Sequence, residues 1–317
     1  MSKDATEFLE TSFLKELIVM EGINDISFNG EDIYYMSALE GRKKSVIKID
    51  SDAVGDFLRQ IANIQEKQFS YTHPNLDVSF GKYRLNALYK SIGRLANKKV
   101  FTFSLRVESY KSKIDEDKKY FEGKSRQILL DLLEKQQSII IGGETSTGKT
   151  ELEKWLLSQM KDDTRVVVID NIEELDILKF SNIDMTCWIV NESIEEARFS
   201  SLIRTSLRNN PDYIVVAEAR GGEMYEGLLS SMSGHPLISS IHAKSLEAMP
   251  HRVARLCMMG DKRVEFDELV EDINSHIDNY VFLKKKRRKD GSIKRYIESI
   301  GHLEKDGTMK VLYRREK

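Results

Sequence analysis

Eight consecutive residues, Gly143-Glu144-Thr145-Ser146-Thr147-Gly148-Lys149-Thr150, match the phosphate-binding pattern G-x-x-x-x-G-K-[ST] at every fixed position. The glycines let backbone N–H groups curl around a phosphate, and the Lys149 ammonium is long enough to reach β- and γ-phosphates. The Thr150 hydroxyl can hold Mg²⁺ at a helix N-terminus. In a chain of 317 residues such a match arises by chance on the order of once per hundred sequences. The flanking residues supply the strand–loop–helix order the chemistry requires. Ser138-Ile139-Ile140-Ile141 is an apolar, β-branched run suited to a buried parallel strand. Beyond Thr150, the residues Leu152, Trp155, Leu156 and Met160 fall on one helical face. These eight residues, with Glu151 at the next helical position, are the candidate nucleotide-binding set, with ATP and Mg²⁺ as its occupants.

Hydrolysis of a bound triphosphate needs an acid to orient water, help with the metal, and positive charge near the γ-phosphate. Glu218 follows the buried run Tyr213–Ala217 and is placed to act on Mg²⁺ through water. Asp170, Glu173 and Glu174 follow a second run, Arg165–Ile169. His235 and His242 bracket a third, Leu237–Ile241, and Arg204, Arg208 and Arg220 lie near the strand ending at Glu218. An arginine beside a triphosphate stabilises transition-state charge. His73, His251, His276 and His302 show no metal-ligand spacing.

The elements that must position these groups are legible in outline. Residues 4–20 have helical apolar spacing, and 23–36 alternate around Asn29-Gly30, a strong hairpin signal. Val46–Ile49 reads as a strand. Ser51-Asp52 starts a helix, Gly81-Lys82 sits between two strands, and 100–107 is another strand. Residues 1–110 therefore read as an α+β domain and the charged stretch 111–124 as a linker. Residues 125–317 read as a nucleotide domain whose strands alternate with helices and end in polar residues, as in a parallel sheet with chemistry at its carboxyl edge.

Composition bounds the rest. The net charge of -2 argues against a strongly basic protein that coats nucleic acid. Cys187 and Cys257 are far apart, without disulfide or zinc spacing, which suits a reducing compartment. The first residues carry Asp4, Glu7, Glu10, Lys15 and Glu16 and do not read as a signal peptide. No apolar run approaches the roughly 20 residues a membrane span needs.

Residues 202–222, Leu-Ile-Arg-Thr-Ser-Leu-Arg-Asn-Asn-Pro-Asp-Tyr-Ile-Val-Val-Ala-Glu-Ala-Arg-Gly-Gly, resemble the Walker B region of the secretion and traffic ATPases. Gly234-His235-Pro236 through Ser239-Ser240-Ile241-His242-Ala243 is similar to their His box, and Val168–Leu175 to their Asp box. Tyr83–Ala87 and Phe103–Arg106 are similar to segments with which the family's N-terminal domain supplies arginines, which makes Arg84 and Arg106 candidates for nucleotide contact. Residues 278–300 are similar to the strands that follow the core in Vir-type and pilus-assembly members, and the zinc-binding cysteines of the type II branch are absent. Two departures stand out. The family's Glu-Asp in the Asp box is Asp170-Asn171 here, which makes Glu174 the preferred water-orienting acid, and the Gly before the Walker B Glu is Ala217.

The resemblance implies an α/β fold, a RecA-like P-loop NTPase domain with a parallel-rich sheet preceded by a smaller α+β domain. It also implies a cytoplasmic homohexameric ATPase at the inner face of the membrane, docking on inner-membrane secretion or conjugation proteins, with peripheral membrane contact and no direct nucleic-acid binding. Its motion would energise type IV secretion, conjugative transfer or pilus assembly. The alternatives are a non-hydrolysing assembly platform, suggested by the altered Asp box, and a hexameric nucleic-acid motor or nucleotide kinase. The run Lys284–Lys289 would touch DNA, as a motor requires, or anionic lipid, whereas its simpler reading is a solvated hairpin end.

Overall fold

The computed structural model describes residues 4–20, 22–37, 41–107, 112, 114–117, 119–171, 175, 182–260, 264–288 and 293–316. The chain divides into two compact units, residues 1–109 with 287–293, and residues 110–286 with 294–317.

The first unit is an antiparallel sheet with helices on one face. Its strands are β1 (Ile23–Phe28), β2 (Ile33–Ser37), β3 (Gly41–Lys44), β4 (Asn75–Phe80), β5 (Tyr83–Leu88) and, after the short ladder β6 (Arg94–Leu95) and β7 (Lys98–Lys99), β8 (Thr102–Val107). They lie in the order β3-β2-β1-β8-β5-β4. Alternation decides the faces: Leu76, Val78 and Phe80 of β4 and Tyr83, Leu85 and Ala87 of β5 join a core with Leu9, Leu17, Val54, Leu58 and Ile61. Those last five come from helices α1 (Ala5–Glu10), α2 (Lys15–Ile18) and α3 (Ser51–Ile64). The other face carries Arg84 and Arg106, direct cross-strand partners in the β5–β8 register.

Local side-chain hydrogen bonds explain where this unit departs from the sequence pattern. The helix expected over 4–20 is two short helices, because Thr11 Oγ1 donates to Glu7 O at 2.8 Å and Ser12 Oγ to Leu9 O at 2.7 Å. Such side-chain bonds compete with the helical ladder. The strand expected at Val46–Ile49 is instead the preceding segment, β3. Ser45 N closes on Ile33 O at 2.8 Å, Ser45 Oγ accepts from Ile47 N at 3.1 Å, and Val46 is left exposed. The Asn29-Gly30 turn forms as expected, with Asn29 Oδ1 accepting from Glu31 N and Asp32 N.

The second unit is built on β9 (Ile139–Gly143), β10 (Arg165–Asp170), β11 (Asp184–Ile189), β12 (Tyr213–Val216), β13 (Leu237–His242), β14 (Asn279–Arg287), β15 (Ile293–Leu303) and β16 (Met309–Arg314). Their order is β11-β10-β12-β13-β9-β14-β15-β16. From β11 to β14 every neighbouring pair is parallel, while β15 and β16 are antiparallel. Strands β9 and β12 are buried along their whole length, as a sheet covered on both faces requires. On one face Ile139, Ile141, Val168, Val215 and Leu283 pack with α4 (Ser125–Glu134) and α5 (Lys149–Ser158). On the other, Ile140, Val167, Val216, Ile241 and Phe282 pack with α6 (Phe199–Ser206), α7 (Glu223–Met232), α8 (Met249–Cys257) and α9 (Phe266–His276).

The chain leaves β9 through α5 on one face, and it passes from β13 to β14 through α8 and α9 on the other. Strand order therefore reverses around β9, and ligands of open α/β sheets bind at the carboxyl edge of such a switch point. The charged stretch 111–124 contributes two buried anchors to this unit, Ile114 and Tyr120. Ser112 Oγ donates to Glu151 O at 3.0 Å, and Asp115 Oδ1 accepts from Trp155 Nε1 at 3.0 Å. Asp115, Asp117, Lys119, Glu122 and Lys124 are exposed, and composition alone hides the anchors.

In the first unit Gly55 lets α3 lie against Phe101, whose ring occupies the space a Cβ would need. Gly55→Ala gains about 1 kcal/mol of helix propensity but overpacks a rigid ring at a cost of about 1–3 kcal/mol. The expected outcome in denaturant unfolding is a net loss of stability.

Candidate functional site

The candidate phosphate-binding loop starts at Gly143, the last residue of β9, which is still paired with His242 of β13 and Leu283 of β14. Gly143 has no room for a side chain, since a Cβ there would stand 2.5 Å from Thr147 Oγ1 and 3.0 Å from Leu283 O. Thr147 Oγ1 donates to Glu144 O at 2.8 Å and draws the loop into a closed turn. Gly148 takes φ 92° and ψ 32°, left-handed backbone that glycine adopts without steric cost, and helix α5 begins at Lys149. The hollow is thus bounded by backbone and by the N-terminus of a ten-residue helix, a geometry that favours a phosphate. Thr150 and Glu151 occupy the first turn of α5, both half-buried, while Glu144, Thr145 and Ser146 form the exposed rim.

Lys149 is only 8% exposed. Burial pushes its ammonium below the usual lysine value, with Glu218 and Glu153 drawing it partly back. Its head reaches two groups at the ends of neighbouring strands, His242 Nδ1 at 3.4 Å and Glu218 Oε1 at 3.9 Å. His242, the last residue of β13, pairs in register with Gly143, and its Nε2 lies 2.9 Å from Glu218 Oε1. An ammonium can only donate, so Nδ1 is the acceptor and the ring proton sits on Nε2, which donates to Glu218. Arg220 closes the cluster, with Nε and Nη2 at 3.0 and 2.7 Å from Glu218 Oε2. Burial raises the Glu218 carboxyl, but the Arg220 hydrogen bonds and charge, with Lys149 and His242, carry it below its ordinary 4.5.

The backbone under this cluster is tied by side chains from adjacent elements. Ser240 Oγ donates to Ala217 O at 2.6 Å and Ala219 N donates to Ser240 O at 3.0 Å, which locks the ends of β12 and β13 together. Glu223, at the head of α7, accepts from the N–H groups of Arg220 and Gly221. That cap turns the loop so that Arg220 folds back onto Glu218.

Other sequence candidates lie elsewhere. Arg204 is drawn away to Glu226 Oε1 on α7, at 3.1 Å. Arg208 lies in the turn before β12, next to Asn209, whose carbonyl accepts from Arg165 at the start of β10. Arg208 therefore sits at the amino edge of the sheet, opposite the loop. His235 is also at that edge, before β13. Of the candidate arginines Arg204, Arg208 and Arg220, the described contacts bring Arg220 to Glu218 and hold Arg204 and Arg208 away from it. Asp170 ends β10 with its carboxylate committed to backbone, Oδ1 to Asn171 N at 2.7 Å and Oδ2 to Leu175 N at 3.2 Å. Glu173 and Glu174 lie outside the described residues. Arg84 and Arg106 belong to the first unit.

Two side chains outside the phosphate-loop, Walker B, His-box and Asp-box segments reach the loop. Lys285 Nζ donates to Thr145 O at 2.6 Å and Arg295 Nε to Ser146 O at 3.0 Å. The basic run marked Lys285, but only the pairing of β14 with β9 shows where it points.

Residues 94–280 match the family model described as type II/IV secretion system protein. The chain belongs to that family. It is 30% identical over 276 residues to an uncharacterized protein of Bacillus anthracis, a match covering 84% of this chain and 60% of that protein. It is 31% identical over 159 residues to the type IV secretion system protein VirB11 of Brucella suis, covering 46% of this chain and 44% of VirB11. The chain thus spans about half the length of the curated relatives it matches. Among solved structures, the Legionella pneumophila ATPase DotB superposes with a TM-score of 0.71 at 17% identity, covering 95% of this chain and 81% of DotB. The pilus retraction motor PilT with bound ADP gives 0.66 at 16% identity, covering 97% and 83%. At these identities the structural likeness shows the fold, a RecA-like nucleotide domain preceded by an α+β domain. The family expected from the Walker B, His-box and Asp-box segments is the one found.

The depressed carboxyl of Glu218 has a consequence for this type II/IV secretion family member. A folded-state pKa below the unfolded value stabilises the fold above that unfolded value, and the gain is lost as pH falls through the folded value. Glu218→Gln should cost about 1–3 kcal/mol at neutral pH. In unfolding experiments from pH 7 to 3, its deficit against wild type should shrink once the pH falls below 4.5.

Proposed function

We propose that the chain is an ATP-hydrolysing ring motor, a homohexamer, which energises type IV secretion, conjugative transfer or pilus assembly through nucleotide-driven motion. The observation that carries the hydrolytic reading is the convergence of Lys149, Glu218, His242 and Arg220 at the mouth of a phosphate loop. In this reading the loop N–H groups and the head of α5 receive the β-phosphate, and Lys149 exchanges its long contact with Glu218 for phosphate oxygens. That exchange gives a half-desolvated ammonium a closer anion. Glu218, released from Lys149 but still oriented by His242 and Arg220, faces the region where the γ-phosphate would lie.

The residues present suit Mg²⁺ as well. Thr150 at the start of α5 would hold it directly and Glu218 through water, and the metal would supply charge neutralisation on the β- and γ-oxygens. Among the described residues no group of three or more His, Cys, Asp or Glu forms a metal site on its own. Glu174 is the proposed water-orienting acid, from its sequence position after β10. Arg84 and Arg106, adjacent across β5 and β8, are the proposed contribution of the first unit to the nucleotide.

The proposed setting is the cytoplasmic face of the inner membrane, with secretion or conjugation proteins as partners. No helix among the described residues is long and apolar enough to cross a membrane. Direct nucleic-acid contact is not part of the proposal, because Lys284 is near Glu298 at 3.3 Å and Lys285 serves the loop. One observation favours the platform as a second reading: Glu218 is engaged on both oxygens and Asp170 is consumed by backbone.

Steady-state phosphate release separates the two readings. Wild type should turn over ATP, while Lys149→Ala and Glu218→Gln should each fall by a factor of about 100 or more. Equal rates for wild type and Lys149→Ala would remove the ATPase reading, and tight ATP binding without release would favour the platform. The ring is checked by light scattering with a non-hydrolysable ATP analogue, where a hexameric mass is expected and a monomer would overturn it.

A further inference from the structure

The wall of the phosphate loop facing β14 and β15 is held by two cations that the hydrolytic reading does not use. Strand β14 pairs in parallel with β9 as far as Leu283 opposite Gly143. There β9 ends as the loop, whereas β14 runs on to Arg287. Lys285, two residues past Leu283, therefore stands beside the loop on the same pleat face, the face that packs on α5. Arg295 of β15 has the same relation to buried Ile297. Lys285 Nζ donates to Thr145 O, and Arg295 Nε donates to Ser146 O while its Cδ lies 3.3 Å from the Cβ position of Gly148.

We infer that Lys285 and Arg295 are positioning residues that preorganise the phosphate nest from outside. A trans peptide is planar, so its C=O and N–H point in opposite directions. Holding the Thr145 carbonyl against Lys285 turns the Ser146 N–H away from Lys285, and holding the Ser146 carbonyl against Arg295 does the same to the Thr147 N–H. The Thr147 N–H donates to Glu144 O at 3.4 Å, which closes the turn on the side away from Arg295's carbonyl partner, Ser146 O. Ser146 sits at φ 63°, a left-handed conformation that residues other than glycine adopt uncommonly. Without the two cations, both carbonyls are free to rotate into the hollow, where they repel a phosphate and withdraw two donors from it. Successive N–H groups aimed into one concavity are what make such a loop an anion site. The two cations act on the β14 side of the loop, and His242 of β13 stands on the other.

This inference rests on the loop binding nucleotide, and its test is arranged to separate the two. Calorimetric Kd values for ADP and for a non-hydrolysable ATP analogue are measured on the full chain, with KM and kcat for ATP. Wild type, Lys149→Ala, Lys285→Met, Arg295→Met, the double Met variant, and the conservative Lys285→Arg and Arg295→Lys are compared. The double variant should bind ADP and the ATP analogue about tenfold more weakly, by the same factor, and its KM should rise while kcat at saturation stays within about twofold. Lys285→Arg and Arg295→Lys should recover most of the affinity, because each keeps a cationic donor. Partial unfolding lowers kcat through the active fraction and leaves KM unmoved, so that pattern in the double variant overturns the inference. So does an unchanged Kd, or a loss confined to the ATP analogue, which marks direct γ-phosphate contact. A wild type that binds without turnover removes the ATPase reading alone, and one that binds neither nucleotide removes both.

Discussion

The interaction on which the site depends is a nearly buried ammonium that is not fully compensated. Lys149 heads α5, 8% exposed, where losing water penalises its charge. Its partners are a lone pair on His242 at 3.4 Å and a carboxylate oxygen at 3.9 Å. Neither contact is as short as a good charge-assisted hydrogen bond, about 2.8 Å. In the proposed reading the ammonium is poised for a better anion, which the loop beside it would present. A tightly paired lysine would make a more stable protein and a poorer phosphate site.

Satisfying that ammonium even partly requires three strands to end at one level. Glu218 arrives after β12, His242 at the end of β13, and the loop at the end of β9, and these strands are neighbours in the order β12-β13-β9. The order is produced by the reversal at β9. One connection leaves by α5 and another returns over the opposite face by α8 and α9, so Lys149 meets His242 at 3.4 Å and Glu218 at 3.9 Å although both lie far along the chain from it. The Ser240 to Ala217 bond and the Glu223 cap then fix the strand ends to which the chemistry is attached. Buried hydrogen bonds of this sort constrain a geometry as well as stabilise it.

The chemical vocabulary of the site was largely legible in the sequence. The eight-residue loop has a fixed local pattern because its function is set by backbone conformation, and backbone conformation is written in Gly and small residues. Glu218 and His242 were visible because a buried parallel strand is an apolar run, and whatever polar residue ends it must emerge at the sheet edge. The same reasoning overreached for Arg204 and Arg208. Proximity in sequence to Glu218 placed them near it, yet the strand between puts Arg208 at the opposite edge, and α7 draws Arg204 to Glu226. At Val46–Ile49 propensity pointed to a strand, but Ser45 terminates the ladder and the charged segment before it takes the edge position.

The sequence by itself determined the fold class, the family, the phosphate loop and the types of groups able to surround it, because each depends on local periodicity or a contiguous motif. Only the tertiary structure decided which candidates meet: that Glu218 binds Lys149, His242 and Arg220 at once, that Asp170 is spent on backbone, and that Lys285 and Arg295 grip the loop from the β14 side. The reason is strand order. A parallel sheet leaves its neighbour relations to crossover connections over either face, and a basic residue far downstream carries no local mark of the carbonyl that it will hold.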